Sequence, residues 1–132
     1  MPPRRLFSHA FLAGLVAVGC IQLAGAQDLR QSPDSPVVLV AEFHIAPGRE
    51  DQFRTRALAF AKLAQAVPGV VYRLHMHPTE SGRFIFYEFF PNQASLERVQ
   101  NEVAARHRAE NGPTPPGMFA KPPSEARWLP LN

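Results

Sequence analysis

A small α+β domain is predicted by three observations between Val37 and Arg108. Short apolar runs rich in β-branched and aromatic residues alternate with stretches of helical spacing, in the order β-α-β-β-α. Two Pro-Gly pairs, Pro47-Gly48 and Pro68-Gly69, punctuate that order at strand and helix ends. The third apolar run closes on Tyr87-Glu88-Phe89 and leads straight into a second helical pattern. Such an order lays helices against a sheet and leaves an apolar pocket between the layers.

The N-terminal segment stands apart from the fold. Arg4 and Arg5 precede an almost uncharged stretch from Leu6 to Ala26, and Ala24-Gly25-Ala26 has the small-x-small pattern of a signal-peptidase site. Residues 1–26 are therefore expected to be a signal peptide cleaved after Ala26, giving a secreted or periplasmic protein. Polar Gln27-Asp28-Leu29-Arg30 follows instead of a basic stop-transfer flank, so no stable membrane span is expected after its removal. Two variants stay open. Arg4-Arg5-Leu6-Phe7 resembles part of a twin-arginine signal, and Val18-Gly19-Cys20 resembles a lipobox that would leave a lipidated Cys20. Ala17 stands where a lipobox prefers Leu, which favours plain cleavage.

Setting the signal aside changes the charge argument. The chain holds 14 Lys and Arg against 11 Asp and Glu. Without Arg4 and Arg5 it is nearly neutral, so no nucleic-acid partner is expected. The single cysteine, Cys20, also lies in the signal, leaving neither a disulfide nor a thiol nucleophile. Stability must then come from an apolar core.

Residues 27–36, with Ser32-Pro33 and Ser35-Pro36, read as a linker to a domain spanning 37–110. In the first strand, Val37 to Ile45, Leu39, Ala41, Phe43 and Ile45 share one face; Val38, Val40, Glu42 and His44 share the other. Pro47-Gly48 ends it, and Glu50 and Asp51 fall where a helix N-terminus favours acids. Phe53, Ala57, Phe60, Ala61 and Ala64 form the buried stripe of that helix, with Arg54, Lys62 and Gln65 off it. Val70 to His77 is the second strand, Pro78 to Gly82 a hairpin loop, and Arg83 to Phe90 the third strand. Asn92 is the N-cap of a second helix whose inward face carries Leu96, Val99, Val103 and His107. Residues 111–132 form a Pro-rich extension. Gly112 to Pro123 is expected to be an extended loop, and Ala126 to Leu131 a short edge strand.

The motifs AEFHIAPGREDQF, AVPGVVYRLH and FIFYEFFPNQASL, in this order, resemble the antibiotic biosynthesis monooxygenase domain. The likeness covers roughly Val37 to Arg108. It implies a ferredoxin-like β-α-β-β-α-β antiparallel sheet, two of which pack face to face as a dimeric α+β barrel. With helices over the Phe43 face, Val38, Val40, Phe84 and Phe86 are expected on the other face, where a second sheet would cover them. A homodimer is thus the expected assembly.

The resemblance also implies activity: cofactor-independent oxygenation of quinols or polyphenolic anthrones, or, in one branch, degradation of haem. That branch uses an Asn, a Trp and a ligand His. Phe43 and Phe89 stand at the first two positions here, and His107 lies near the third, so the chain departs from it. Oxygenation of a quinol-like ligand asks for a proton acceptor and a dry aromatic pocket. His107 and Tyr72 are the candidate catalytic residues. Phe43, Phe60, Tyr72, Tyr87 and Phe89 are the candidate substrate contacts, with Tyr87 and Phe89 expected on the Phe43 face under the helices. Phe43, Phe60 and Phe89 are equally explained as core packing, Tyr72 as a buried tyrosine whose hydroxyl meets a backbone group, and His107 as a cation at a helix end.

No metal or organic cofactor is expected. His75-x-His77 lacks a clear third ligand, His44 being the nearest guess, and such strand pairs commonly lie on a surface or interface. Glu42 and Glu88 are expected together on the dimer face, in a structural network with Arg73 or His75. The expected function is oxidation of a small aromatic or quinol by dioxygen in an exported protein. The alternative is a non-catalytic dimeric ligand-binding or structural module of the same fold.

Overall fold

The computed structural model describes residues 32–129; the expected signal peptide and the first half of the linker, residues 27–31, lie outside them. The elements are β1 (Val37–Ile45), α1 (Glu50–Ala64), β2 (Val71–Met76), β3 (Arg83–Phe90), α2 (Gln93–Arg98), a π-helical turn (Val99–Val103), α3 (Ala104–Asn111) and β4 (Phe119–Trp128). The four strands form an antiparallel sheet in the order β2-β3-β1-β4, with the helices on one face. This is the ferredoxin-like α+β arrangement.

Local chemistry accounts for the helix positions. Glu50 and Asp51 occupy the first turn of α1, and its buried residues are Phe53, Ala57, Phe60, Ala61 and Ala64. At α2 the Asn92 side chain accepts from the backbone N–H of Ser95 at 2.8 Å, satisfying a donor that the helix cannot. The π-helical turn then places adjacent Val103 and Ala104 both on the buried side and hands the helix on to α3.

The core is an aromatic layer between sheet and helices. Phe43 packs against Phe53 at 5.0 Å between ring centres, and Phe53 against Phe84 at 4.9 Å. Phe86 meets Phe43 edge-on at 5.9 Å. These contacts correct the expected facing of β3. Phe43 lies opposite Phe84, Ala41 opposite Phe86, Leu39 opposite Glu88 and Val37 opposite Phe90. Directly opposed residues share a face, so Phe84, Phe86, Glu88 and Phe90 lie under the helices. Tyr87 and Phe89 lie on the other side of the sheet. Arg83 to Phe90 carries aromatics at both parities, so alternation alone does not reveal which side is buried.

The C-terminal region needs a second correction. Phe119–Trp128 is one strand where a loop and a shorter strand were expected. It forms a sheet edge, where a missing N–H is tolerated. Glu42 pairs with Ser124 and His44 with Lys121. Pro122 and Pro123 thus fall together opposite Phe43, as a bulge that accommodates the two residues lacking a ladder donor.

The hairpin between β2 and β3 closes on a glycine that no other residue replaces easily. Gly82 has φ +82°, its carbonyl accepts from Ile45 N at 2.7 Å, and a Cβ there would lie 2.7 Å from the Ile45 oxygen. Gly48 shares the left-handed conformation, φ +84°, but a Cβ there meets nothing within 4 Å. Gly82→Ala is therefore expected to destabilise the fold by at least ~2 kcal/mol and Gly48→Ala by only ~1 kcal/mol. Urea unfolding of the two variants checks this; equal losses would count against the close approach at Ile45.

Candidate functional site

Between α1, α3 and the sheet lies a cavity of about 320 Å³, counted with the open space at its mouth. Its lining is Phe53, Arg56, Ala57, Phe60, Phe86, His107 and Met118. The enclosed part has room for about one water molecule. Its walls are mainly apolar, and Arg56 and His107 are the two lining residues with polar side chains. Met118 is fully buried there, held by the bond from Ala46 N to its carbonyl at 2.8 Å.

His107 is 3% exposed on the inward side of α3, so a solvent-facing helix-end cation is not what it is. Its Nε2 lies 3.1 Å from the Arg56 carbonyl oxygen. A carbonyl only accepts, so Nε2 carries the proton and Nδ1 presents its lone pair. Burial holds the imidazole below its ordinary pKa; the nearby Arg56 charge adds to that and the carbonyl contact opposes it. A neutral imidazole with a free acceptor nitrogen is a general base in waiting. Phe60 packs edge-on against the ring at 5.4 Å.

Arg56 comes from the border of the α1 stripe. Its guanidinium donates to Asn111 O at 2.7 Å and Gly112 O at 3.0 Å, tying α1 to the end of α3. Its Nε–H is buried without a partner among the described residues. Sequence reasoning missed Arg56 as well as Met118. The residues Arg56 bonds lie more than fifty positions away, so spacing along α1 carries no sign of them.

Behind Phe60 and Phe86 sit Tyr72 and Glu88. Tyr72 is buried, 5.6 Å from Phe60 and edge-on to Phe86 at 5.5 Å and Phe90 at 5.8 Å. Glu88, opposite Tyr72 in the sheet, is 1% exposed, and neither carboxyl oxygen has a partner in hydrogen-bond geometry among the described residues. Burial pushes its pKa up to about 8, against a weaker downward pull from the Tyr72 hydroxyl. Glu88 is thus a neutral acid at neutral pH in the helix-side core, and the expected pairing with Glu42 on the dimer face does not occur.

The remaining candidates are scattered. Phe43 and Phe60 are under the helices, Phe60 in the cavity wall and Phe43 in the core beside it. Tyr87, 39% exposed, and half-buried Phe89 lie on the far side of the sheet and take no part in this cavity. Glu42 pairs instead with His44 at 2.9 Å and Arg83 at 3.1 Å. His77 Nδ1 accepts from Glu80 N at 2.9 Å, capping the hairpin loop, while His75 is exposed on the open face. Among the described residues no group of three or more His, Cys, Asp or Glu is placed to hold a metal ion. No described helix is long and apolar enough to cross a membrane.

The sequence model of the antibiotic biosynthesis monooxygenase family matches residues 36–110. The chain belongs to this family. Solved structures agree on the fold. A Caulobacter crescentus protein named for the same family superposes with a TM-score of 0.65 at 22% identity, over 82% of this chain and 99% of its own. A Pseudomonas aeruginosa protein gives 0.61 at 24% identity, over 77% and 100%. A Mycobacterium tuberculosis protein gives 0.61 at 21%, over 74% and 97%. These likenesses establish the fold alone. An uncharacterized Synechocystis protein is 26% identical over 73 residues, which are 54% of this chain and 49% of that relative's length.

In this family member the buried Glu88 makes a pH-dependent demand on stability. Its folded pKa of about 8 lies above the ordinary 4.5, so the folded state holds the proton longer than the unfolded one. The contribution is fully favourable below pH 4.5, is lost as pH rises through about 8, and changes little above. Glu88→Gln, neutral at every pH, is expected to exceed the wild type in stability by on the order of a few kcal/mol at alkaline pH, and to match it near pH 4. Urea unfolding across that range measures the difference; a constant gap would mean Glu88 titrates normally.

Proposed function

We propose that this member of the antibiotic biosynthesis monooxygenase family is an exported oxygenase that oxidises a small phenol or quinol with dioxygen in the cavity between α1 and α3. One observation carries the reading: a neutral, buried His107 with a free Nδ1 in the wall of an aromatic cavity. Removal of a phenolic proton by that nitrogen makes the ring electron-rich enough to reduce dioxygen. Walls formed by Phe53, Phe60, Phe86 and Met118 keep water from the anion. With a hydroquinone, one oxygen atom enters the ring and the other leaves as water. The product is a hydroxyquinone, and the substrate supplies all the electrons.

A non-catalytic module that binds a small apolar ligand is the second reading. The narrowness of the enclosed space, with room for about one water, favours it. Oxygen uptake by purified protein with a panel of hydroquinones separates the two. The oxygenase reading expects turnover above the uncatalysed rate and a fall of about 10²-fold or more in His107→Gln. Because burial lowers the His107 pKa from 6.5, the acidic limb of kcat/KM should lie below that pH. Background rates with every hydroquinone would leave the binding module standing.

The open face of the sheet supports a homodimer. Ile85, Tyr87 and Trp128 are exposed there, beside half-buried Val38, Val40, Val71 and Phe89. An apolar sheet face of this kind is ordinarily covered. Sedimentation velocity is expected to show a dimer for the wild type and a monomer for Tyr87→Asp. A wild-type monomer at micromolar concentration would remove the dimer from the proposal.

A further inference from the structure

Residues 112–118 follow the part of the chain that the family model matches, 36–110, and they reach back into the cavity. Their sequence is Gly-Pro-Thr-Pro-Pro-Gly-Met. Pro113, Pro115 and Pro116 have a fixed φ and no N–H to donate, so the run between Gly112 and Gly117 is a stiff arm. Both glycines have a φ of +75°. A Cβ at Gly112 would meet nothing within 4 Å, and one at Gly117 only the end of the Arg49 side chain. Neither end of the arm is wedged by its neighbours.

Met118 ends this arm and is its one buried residue. The arm is fastened at three places. Arg56 holds the Gly112 carbonyl at the α3 end, at 3.0 Å. The exposed Arg49 side chain donates to Pro116 O at 3.2 Å, and Ala46 N donates to Met118 O at 2.8 Å. Pairing with β1 as a regular strand begins only at Phe119. Release of the Met118 end thus costs two hydrogen bonds and leaves β4 in place.

The fully buried Met118 side chain shares the cavity with Phe53, Phe60 and Phe86, and the space left beside it holds about one water. Methionine is unbranched, soft and favourable against aromatic rings, so it fills such a space without fixing it. Its removal would add the room of a methionine side chain to the enclosed part. That is roughly the room needed by one six-membered ring, since an apolar cavity of about 150 Å³ takes benzene.

We propose that residues 112–118 form a strap that sets the capacity of the cavity. The Met118 side chain occupies the site as an internal ligand and leaves it when a one-ring apolar molecule binds. The inference rests on the reading of this cavity as a ligand site. A ligand must displace Met118 from three aromatic rings, so its affinity is reduced by the fraction of molecules with the strap open. Arg49 is the latch: by holding Pro116 it lowers that fraction.

The test is NMR of the full chain carrying ¹³C-methyl methionine, with toluene as the probe. The Met118 signal is identified by its loss in Met118→Ala, and exposed Met76 is the internal reference. Ring currents in the cavity should hold the Met118 methyl upfield of Met76. Saturation with toluene is expected to move it to the Met76 position and make it as sensitive as Met76 to a soluble paramagnetic agent. Calorimetry is expected to show toluene binding at least about tenfold more tightly in Met118→Ala, which has no side chain to displace, and about threefold or more tightly in Arg49→Ala. The methyl shifts need only the wild type, so a variant that misfolds does not spoil them. Toluene bound with the Met118 methyl still upfield, no binding by the wild type, or unchanged affinity in both variants overturns the strap. Withdrawal of Met118 without oxygen uptake from hydroquinones would sink the oxygenase reading and leave this one intact. Oxygen uptake with a stationary Met118 methyl would do the reverse.

Discussion

The antiparallel register between β1 and β3, which sets Phe43 against Phe84 and Leu39 against Glu88, decides the side of the sheet on which each residue of those strands lies. A slip by one residue would carry Phe84, Phe86 and Phe90 out to the open face and bring Tyr87 and Phe89 in. The cavity wall, the position of Glu88 and the composition of the exposed face all follow from this pairing. The aromatic contacts of Phe43 with Phe53 and Phe86, and of Phe53 with Phe84, hold it in place.

Within that apolar layer the fold keeps three polar groups that do little for stability. Glu88 is a buried acid beside the Tyr72 hydroxyl, His107 is a neutral base whose Nε2–H bonds the Arg56 carbonyl, and Arg56 has a buried Nε–H without a partner among the described residues. Each such group costs about 1–3 kcal/mol relative to a satisfied one. Full burial of Phe43, Phe53, Phe84, Phe86 and Phe90 at about 2–3 kcal/mol apiece more than covers the cost. Incompletely satisfied polar groups in an otherwise efficient core are where binding or proton transfer is to be sought. Here they lie around one line of rings, from His107 through Phe60 and Tyr72 to Glu88.

The two faces of the sheet have separate tasks. The helix side encloses a small, mainly apolar cavity lined in part by Arg56 and His107, while the open side presents aliphatic and aromatic residues with a charged cluster of Glu42, His44 and Arg83 at one end. The hairpin ties that cluster in place, since Arg83 also bonds Glu80 at 2.7 Å and His77 caps the loop. His44, His77, Glu42 and Glu80 are thus held in ion pairs and a loop cap.

Much of the fold was legible in the residues themselves. The stripe Phe53, Ala57, Phe60, Ala61 and Ala64, the Asn92 cap, the β1 alternation and the inward His107 all depend on local periodicity, and each is where the spacing puts it. The facing of β3 was not legible, because its aromatics occupy both parities and only pairing with β1 distinguishes them. β4 was hidden by Pro122 and Pro123, which are compatible with a strand only once an edge and a bulge exist to receive them. The order of elements, the helix faces and the family likeness were determined by sequence alone, since they rest on contacts within a few residues. The tertiary structure decided the cavity, the burial of Glu88 and the meeting of Arg56 with His107, because long-range packing alone sets which buried groups remain without partners.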